Sequence, residues 1–120
     1  MSYVDGFVTP VPVGNRQAYL EMARSAAAVF LRYGATRVVE CWGDDIPTGK
    51  TNDLRTAVLA EEGEAVLFSW IEWPDKATRD AGHEKAMADP EMKPPDVLPF
   101  SGPRLIYGGF TLLLDIREPL

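Results

Sequence analysis

Three carboxylates in this sequence lie where they could share a surface with aromatic rings. Asp5, Glu40 and Glu72 each fall in a segment rich in aromatic and β-branched residues, which is typical of a β-strand. Strand alternation turns them toward the same side as three aromatic residues, namely Trp42, Trp70 and Tyr107. A carboxylate held against aromatic rings loses water and can take part in proton transfer, while the rings hold a planar ligand.

These residues form the candidate site. Asp5 and Glu40 are the candidate catalytic residues, and the candidate ligand-binding residues are Trp42, Trp70, Glu72 and Tyr107. A structural alternative stays open, in which the carboxylates pair with arginines across a subunit interface or point to solvent at strand ends. The arginines that could serve are Arg37, Arg55 and Arg104.

Two segments approach known metal or nucleotide motifs but lack the required spacing. Between Gly43 and Gly49 stand five residues where a phosphate-binding loop needs four, and they include two aspartates and a proline. His83 begins a sequence similar to a zinc-binding helix, but Met87 occupies the second ligand position and the chain holds one histidine. We therefore expect no metal and no cofactor, and His83 is predicted to be an exposed helix residue.

The residue pattern predicts alternating strands and helices. Apolar residues three and four apart from Tyr19 to Tyr33 indicate an amphipathic helix, which Gly34 ends. The predicted strands are 3–9, 36–42, 65–73 and 105–116, and the other predicted helices are 53–60 and 75–88. This order predicts an α+β fold, a ferredoxin-like four-stranded antiparallel sheet with the two main helices on one face. Residues 1–120 form a single domain in this interpretation.

Two helices can cover only one face of such a sheet. Alternation divides the strand residues into two sets. The set of small and aliphatic residues is predicted to pack on the helices, and it includes Cys41 as a buried side chain. The second set contains most of the strand aromatics and the three carboxylates. Exposed aromatics on an open sheet favour association, so we expect a homodimer in which a second copy covers this face.

Composition limits the partners and the compartment. A net charge of −6 disfavours binding to nucleic-acid phosphates. The N-terminal segment lacks the features of a secretion signal, and a single cysteine suits a reducing compartment, so we expect a cytoplasmic protein. No apolar run approaches the roughly 20 residues of a membrane span, so no membrane association is expected.

Four segments in register resemble the YbaA-like family of uncharacterised bacterial proteins. They are Val4-Asp5-Gly6-Phe7, Glu40-Cys41-Trp42, Phe68-Ser69-Trp70-Ile71 and the run from Arg104 to Phe110. The resemblance implies the dimeric α/β-barrel superfamily, in which two ferredoxin-like subunits pack their sheets face to face. It implies no particular activity, since that superfamily includes monooxygenases, haem peroxidases, isomerases and ligand binders.

Two functional hypotheses follow. In the first, the protein binds a small molecule in the cleft of the barrel, or acts there as a cofactor-free enzyme with Asp5 or Glu40 as the base. In the second, it is a non-catalytic structural or interaction protein that works as a homodimer. The expected absence of histidine from the cleft weighs against oxygenase chemistry, because general bases are most often histidine.

Overall fold

The computed structural model describes residues 2–119 and contains four strands and three α-helices within them. The strands are β1 (Tyr3–Pro12), β2 (Arg37–Trp42), β3 (Glu64–Trp73) and β4 (Ile106–Thr111), and the α-helices are α1 (Arg16–Arg32), α2 (Leu54–Ala57) and α3 (Lys76–Ala88). Short 3₁₀ turns occupy Val13–Asn15, Pro90–Met92 and Gly102–Arg104. The predicted order of elements is confirmed.

The strands form one antiparallel sheet in the order β2-β3-β1-β4. The long central strands β1 and β3 pair along their whole length, from Tyr3 opposite Trp73 to Pro12 opposite Glu64. The ferredoxin-like α+β fold is therefore confirmed. The first and last strands are neighbours, as that fold requires.

The predicted assignment of faces was correct for β3 and wrong for the other three strands. Directly opposed residues of antiparallel strands share a face, and Asp5 lies opposite Ile71, which is buried in the core. The side that carries Asp5 therefore packs on the helices. Its residues are Tyr3, Asp5, Phe7, Thr9, Val11, Val38, Glu40, Trp42, Ala65, Leu67, Ser69, Ile71, Trp73, Tyr107, Gly109 and Thr111.

The opposite side, called here the open face, carries the remaining strand residues. They are Val4, Gly6, Val8, Pro10, Pro12, Arg37, Val39, Cys41, Glu64, Val66, Phe68, Trp70, Glu72, Ile106, Gly108 and Phe110. Cys41 is exposed on this face, which corrects its predicted burial. The faces of β1, β2 and β4 could not be told apart from the sequence, because both are largely apolar. Shifting a strand by one residue exchanges its two faces.

The core between helices and sheet consists of two clusters. One contains Tyr3, Ala35, Ile71 and Trp73, with Phe30 of α1 packed against it. The other contains Val11, Tyr19, Ala23 and Leu67. Both clusters combine β1 residues that were predicted to meet a second copy with β3 residues that were predicted to meet the helices.

The last strand is shorter than predicted. Its pairing with β1 runs without a bulge through Gly108 and Gly109 and stops at Thr111, which lies opposite Tyr3. Because β1 begins at Tyr3, the segment after Thr111 has no ladder to join within its own sheet. A Cβ at Gly109 would collide with the Tyr3 ring, so the second glycine serves a close approach and not a bulge.

An ion pair joins the start of β3 to the turn before β4. The guanidinium of Arg104 donates to both carboxylate oxygens of Glu64, at 2.6 and 2.7 Å, and also to the carbonyl oxygen of Leu59. The hydrogen bonds from Arg104 lower the pKa of Glu64 from 4.5 to about 2.

Within residues 2–119, no helix is both long and apolar enough to cross a lipid bilayer.

This pair predicts a pH-dependent stability. A carboxylate whose pKa is lowered by folding stabilises the folded state above its unfolded pKa and loses that contribution as the pH falls. Glu64→Gln should therefore lower the free energy of unfolding at pH 7, and the deficit should shrink between about pH 4.5 and 2. Urea unfolding across that range measures it, with Glu62→Gln at an exposed position as the control. An equal effect of both substitutions would contradict the assignment.

Candidate functional site

The structure separates the six candidate residues between two sides of the sheet. Asp5, Glu40, Trp42 and Tyr107 lie on the helix side, whereas Trp70 and Glu72 lie on the open face. Asp5 and Glu40 share a side, but each has its own set of partners. A single cleft lined by all six is thus corrected to two polar clusters on the helix side and one on the open face.

Asp5 is the most deeply buried charged residue of the described core, with 2% of its surface exposed. Its Oδ2 accepts a hydrogen bond from the indole Nε1 of Trp73 at 2.8 Å and lies 2.7 Å from Nε2 of His83. Its Oδ1 accepts from Nε of Arg79 at 2.9 Å, and a second guanidinium nitrogen lies at the same distance. A buried carboxylate needs such donors, because burying it alone would be far too costly.

Helix α3 supplies two of the three donors from consecutive turns. Arg79 and His83 are four residues apart, which places them one above the other on the same helix face. Asp75 caps the start of the helix, and its side chain accepts a hydrogen bond from the backbone N–H of Thr78. Gly82 lies over the Trp73 ring, where a Cβ would collide, so this glycine lets α3 approach close enough for His83 to reach Asp5.

The His83 ring is held in place by aromatic neighbours. Its centroid lies 5.6 Å from that of Trp73 and 6.0 Å from that of Phe30. Within residues 2–119, Nδ1 of this ring has no hydrogen-bond partner, and no buried side-chain nitrogen or oxygen is left without one. Nδ1 therefore reaches solvent, and the predicted exposed histidine is instead a partly buried ring with one nitrogen on a carboxylate and one open.

Arg79 balances the charge of Asp5. The hydrogen bond to Asp5 raises the pKa of the guanidinium, which also pairs with Asp80 and lies 5.2 Å above the Tyr3 ring. The contact between Asp5 and His83 therefore does not require a protonated imidazole. In the neutral ring, Nε2 carries the proton that it donates to Asp5, and Nδ1 keeps a lone pair.

Glu40 belongs to a second cluster that fastens α1 to the sheet. Its Oε1 accepts from the hydroxyl of Tyr19 at 2.7 Å and from that of Ser69 at 2.5 Å. Burial raises the pKa of Tyr19, and the negative charge of Glu40 raises it further. Trp42, the next helix-side residue on β2, lies 4.9 Å below the guanidinium of Arg16. Both hydroxyl donors are committed to Glu40, so this cluster favours the structural alternative.

The remaining candidates border other surfaces. Tyr107 lies on the helix side of the edge strand β4, is exposed, and stacks on Phe7 with 6.2 Å between ring centroids. On the open face, Nε1 of Trp70 donates to Glu72 at 2.8 Å, and Arg37 lies 3.4 Å from the same carboxylate. A groove of about 1080 Å³ extends along this face.

Comparison with known proteins places the chain in a family. The family model described as "Protein of unknown function (DUF1428)" matches residues 2–102. The uncharacterised protein YbaA of Escherichia coli is 54% identical over 116 residues, which cover 96% of this chain and 99% of the relative. The YbaA protein of Shigella flexneri matches to the same extent.

The chain belongs to the DUF1428 family, which contains these YbaA proteins. The resemblance drawn from the four sequence segments is thereby confirmed, and the function of the family is unknown. Two solved structures share its fold. An uncharacterised NIPSNAP domain protein from Burkholderia xenovorans has a TM-score of 0.62 and 17% identity, covering 97% of this chain and 99% of its own. A mutant of SnoaB, a cofactor-independent oxygenase from Streptomyces nogalater, has a TM-score of 0.52 and 14% identity, covering 98% of both chains.

Sequence reasoning on this DUF1428 member missed the partners of Asp5. The sequence pattern placed His83 only in an incomplete zinc motif and gave Arg79 and Trp73 no role. One pattern could have indicated them, since Arg79 and His83 are spaced for one helix face and the glycine before His83 is unusual inside a helix. Which strand residue they would meet depends on how the helix packs.

Within residues 2–119, no group of three or more His, Cys, Asp or Glu side chains is placed to hold a metal ion.

Removing the charge of Asp5 should destabilise the protein strongly. Asp5→Asn keeps the shape but leaves Arg79 and His83 without a buried anion, and breaking such a pair costs about 3 kcal/mol. Urea unfolding at pH 7 measures the loss. Asp80→Asn is the matched control, because Asp80 also pairs with Arg79 but its side chain is about half exposed. Equal losses of unfolding free energy in both variants would contradict a special contribution of the buried Asp5 contacts to stability.

Proposed function

We propose that this protein is a cofactor-independent acid–base catalyst that acts on a small molecule, with His83 as the general base. The supporting observation is the 2.7 Å contact between Nε2 of His83 and the buried carboxylate of Asp5, which leaves Nδ1 open. This proposal keeps Asp5 in the catalytic machinery but changes its role from base to orienting group. It transfers the role of base to His83, which the sequence pattern assigned to the exposed surface of a helix.

The chemistry follows from the arrangement of the ring. Nδ1 accepts a proton from a carbon or oxygen acid of the bound molecule, and the ring becomes an imidazolium. Asp5 accepts the Nε2 hydrogen bond throughout, so it fixes the tautomer and stabilises the positive charge that forms. The same proton can return to another atom of the product, which completes an isomerisation without any further reactant.

The fold neighbours are compatible with this proposal. SnoaB, on the same fold, is a cofactor-independent oxygenase, and a base that produces a substrate anion suits chemistry of that class. At 14% identity, this likeness shows a shared fold, so it indicates only that the fold can carry such a reaction. His83 contacts Asp5 from α3, so a histidine is available beside one of the two carboxylates first proposed as bases.

We also propose that the protein is a homodimer whose subunits meet through the open face. Large apolar side chains are exposed there, including Phe68 and Phe110, the latter to 59%. A continuous apolar surface of this kind is rare on monomers and marks an interaction site. The exposed thiol of Cys41, the one cysteine of the chain, is compatible with the reducing conditions of a cytoplasmic location, which we propose as well.

The role of His83 can be tested because it is the one histidine of the chain. In protein with ¹⁵N-labelled histidine, NMR should show the neutral ring protonated on Nε2, and Asp5→Asn should remove this preference. A wild-type ring that exchanges between tautomers as free histidine does would contradict the proposal.

Catalysis itself can be tested by deuterium exchange. A panel of small keto acids and hydroxylated aromatics in D₂O is followed by ¹H NMR for protein-dependent loss of C–H signals. We expect acceleration of at least one compound, a loss of about 100-fold in His83→Gln, and little change in the exposed neighbour variant Glu84→Gln. Equal rates for wild type and His83→Gln would contradict a catalytic role.

The homodimer predicts a mass of twice 13.3 kDa in light scattering at micromolar concentration. Phe68→Asp should dissociate it, because a charge would be buried in the proposed apolar interface. Leu20→Asp, at a similarly exposed leucine on α1, should leave the mass unchanged. A wild type of one-chain mass would contradict the proposal.

A further inference from the structure

The segment that follows β4, residues 112–119, is called here the C-terminal arm. It begins Leu112-Leu113-Leu114-Asp115-Ile116, and Leu113 and Ile116 are exposed to 100% and 82%. Its composition predicts a strand, and the sequence pattern extended the last strand to Ile116. The ladder stops at Thr111 because β1 begins at Tyr3, so the arm has strand-forming residues but no strand beside it in its own sheet.

The arm and the open face border one groove. The same volume of about 1080 Å³ is lined on the sheet side by residues such as Val8, Phe68 and Phe110, and on the arm side by Leu112 and Leu114. This volume is many times that of a water molecule, and its walls are mainly apolar. Leaving so much apolar surface in water is costly, since each square ångström buried is worth roughly 25 cal/mol.

We propose that the C-terminal arm of each subunit packs on the open face of the other, so that the two copies exchange their arms. The inference rests on the proposed homodimer and specifies which segment of the second copy covers the face. One chain supplies both surfaces, so a two-fold axis buries both arms and both faces together. No other molecule is needed to fill the groove.

The charged side chains that line the groove agree with this occupant. Arg37 and Glu72 line the groove on the sheet side, and Asp115 and Arg117 line it from the arm. Each surface therefore presents one positive and one negative group, so two exchanged arms can pair with the opposite charges of the partner sheet. Within its own arm, the pairing of Arg117 with Asp115 is long, at 3.4 Å, and exposed.

Two truncations test the arm directly. A chain that ends at Thr111 keeps β4 but lacks the arm, and a chain that ends at Arg117 keeps its apolar residues. We expect the first truncation to raise the dimer dissociation constant at least about 100-fold, because several leucines lose their burial, and the second to leave it unchanged. Leu114→Asp in the full chain should weaken the dimer in the same way. Circular dichroism confirms that each variant is folded.

Contact between subunits is tested by isotope-filtered NMR on a mixture of labelled and unlabelled full-length chains. Nuclear Overhauser effects between arm leucine methyls of one chain and the Phe68 or Phe110 ring of the other support the exchange. Effects only within one chain, or a Thr111 truncation that dimerises like wild type, overturn it while the homodimer stands. A wild-type monomer overturns both proposals, and so does a monomer that carries an extractable lipid in the groove.

Discussion

The buried carboxylate of Asp5 is the constraint on which the arrangement of the helix side depends. A charged group that is 2% exposed must be neutralised and hydrogen-bonded, and its partners come from the end of β3 and from α3. Satisfying it therefore fixes how α3 packs on the sheet. The close approach at Gly82 follows from the same requirement, since a larger residue would keep His83 away from the carboxylate.

The two sides of the sheet differ in how their polar and apolar side chains are arranged. On the helix side, the polar groups are paired in compact clusters, around Asp5 and around Glu40, and the intervening space is filled by aromatic and aliphatic side chains. On the open face, the surface is mainly apolar, and the pair of Trp70 with Glu72 lines the groove. The first side suits chemistry at a positioned group, and the second suits association.

The two clusters on the helix side also differ from each other. Both carboxylates accept several hydrogen bonds, but the donors of Glu40 are hydroxyls whose positions are set by α1 and β3. Among the donors of Asp5 is an imidazole, which can both accept and donate a proton and has a second nitrogen that reaches solvent. That difference in donor chemistry is why the proposed function rests on Asp5 and His83, and why Glu40 is assigned to the stability of the fold.

The sequence by itself determined the order of elements, the sheet topology and the family. Helical periodicity from Tyr19 to Tyr33 and the β-branched runs of the strands are local patterns, so they can be recognised without knowing what lies beside them. Alternation within each strand is local as well, but it does not establish which sides of different strands coincide: it grouped Glu72 with Asp5 and Glu40, and the strand register separates them. What the sequence could not supply was which side the helices cover, because both faces of β1, β2 and β4 are apolar enough to be core. Only the packing of α3 decided that, and with it the meeting of Asp5 with His83, residues 78 positions apart whose contact no spacing rule connects. The end of β4 at Thr111 was decided in the same way, because a strand ends where its neighbour ends, however favourable its own residues are.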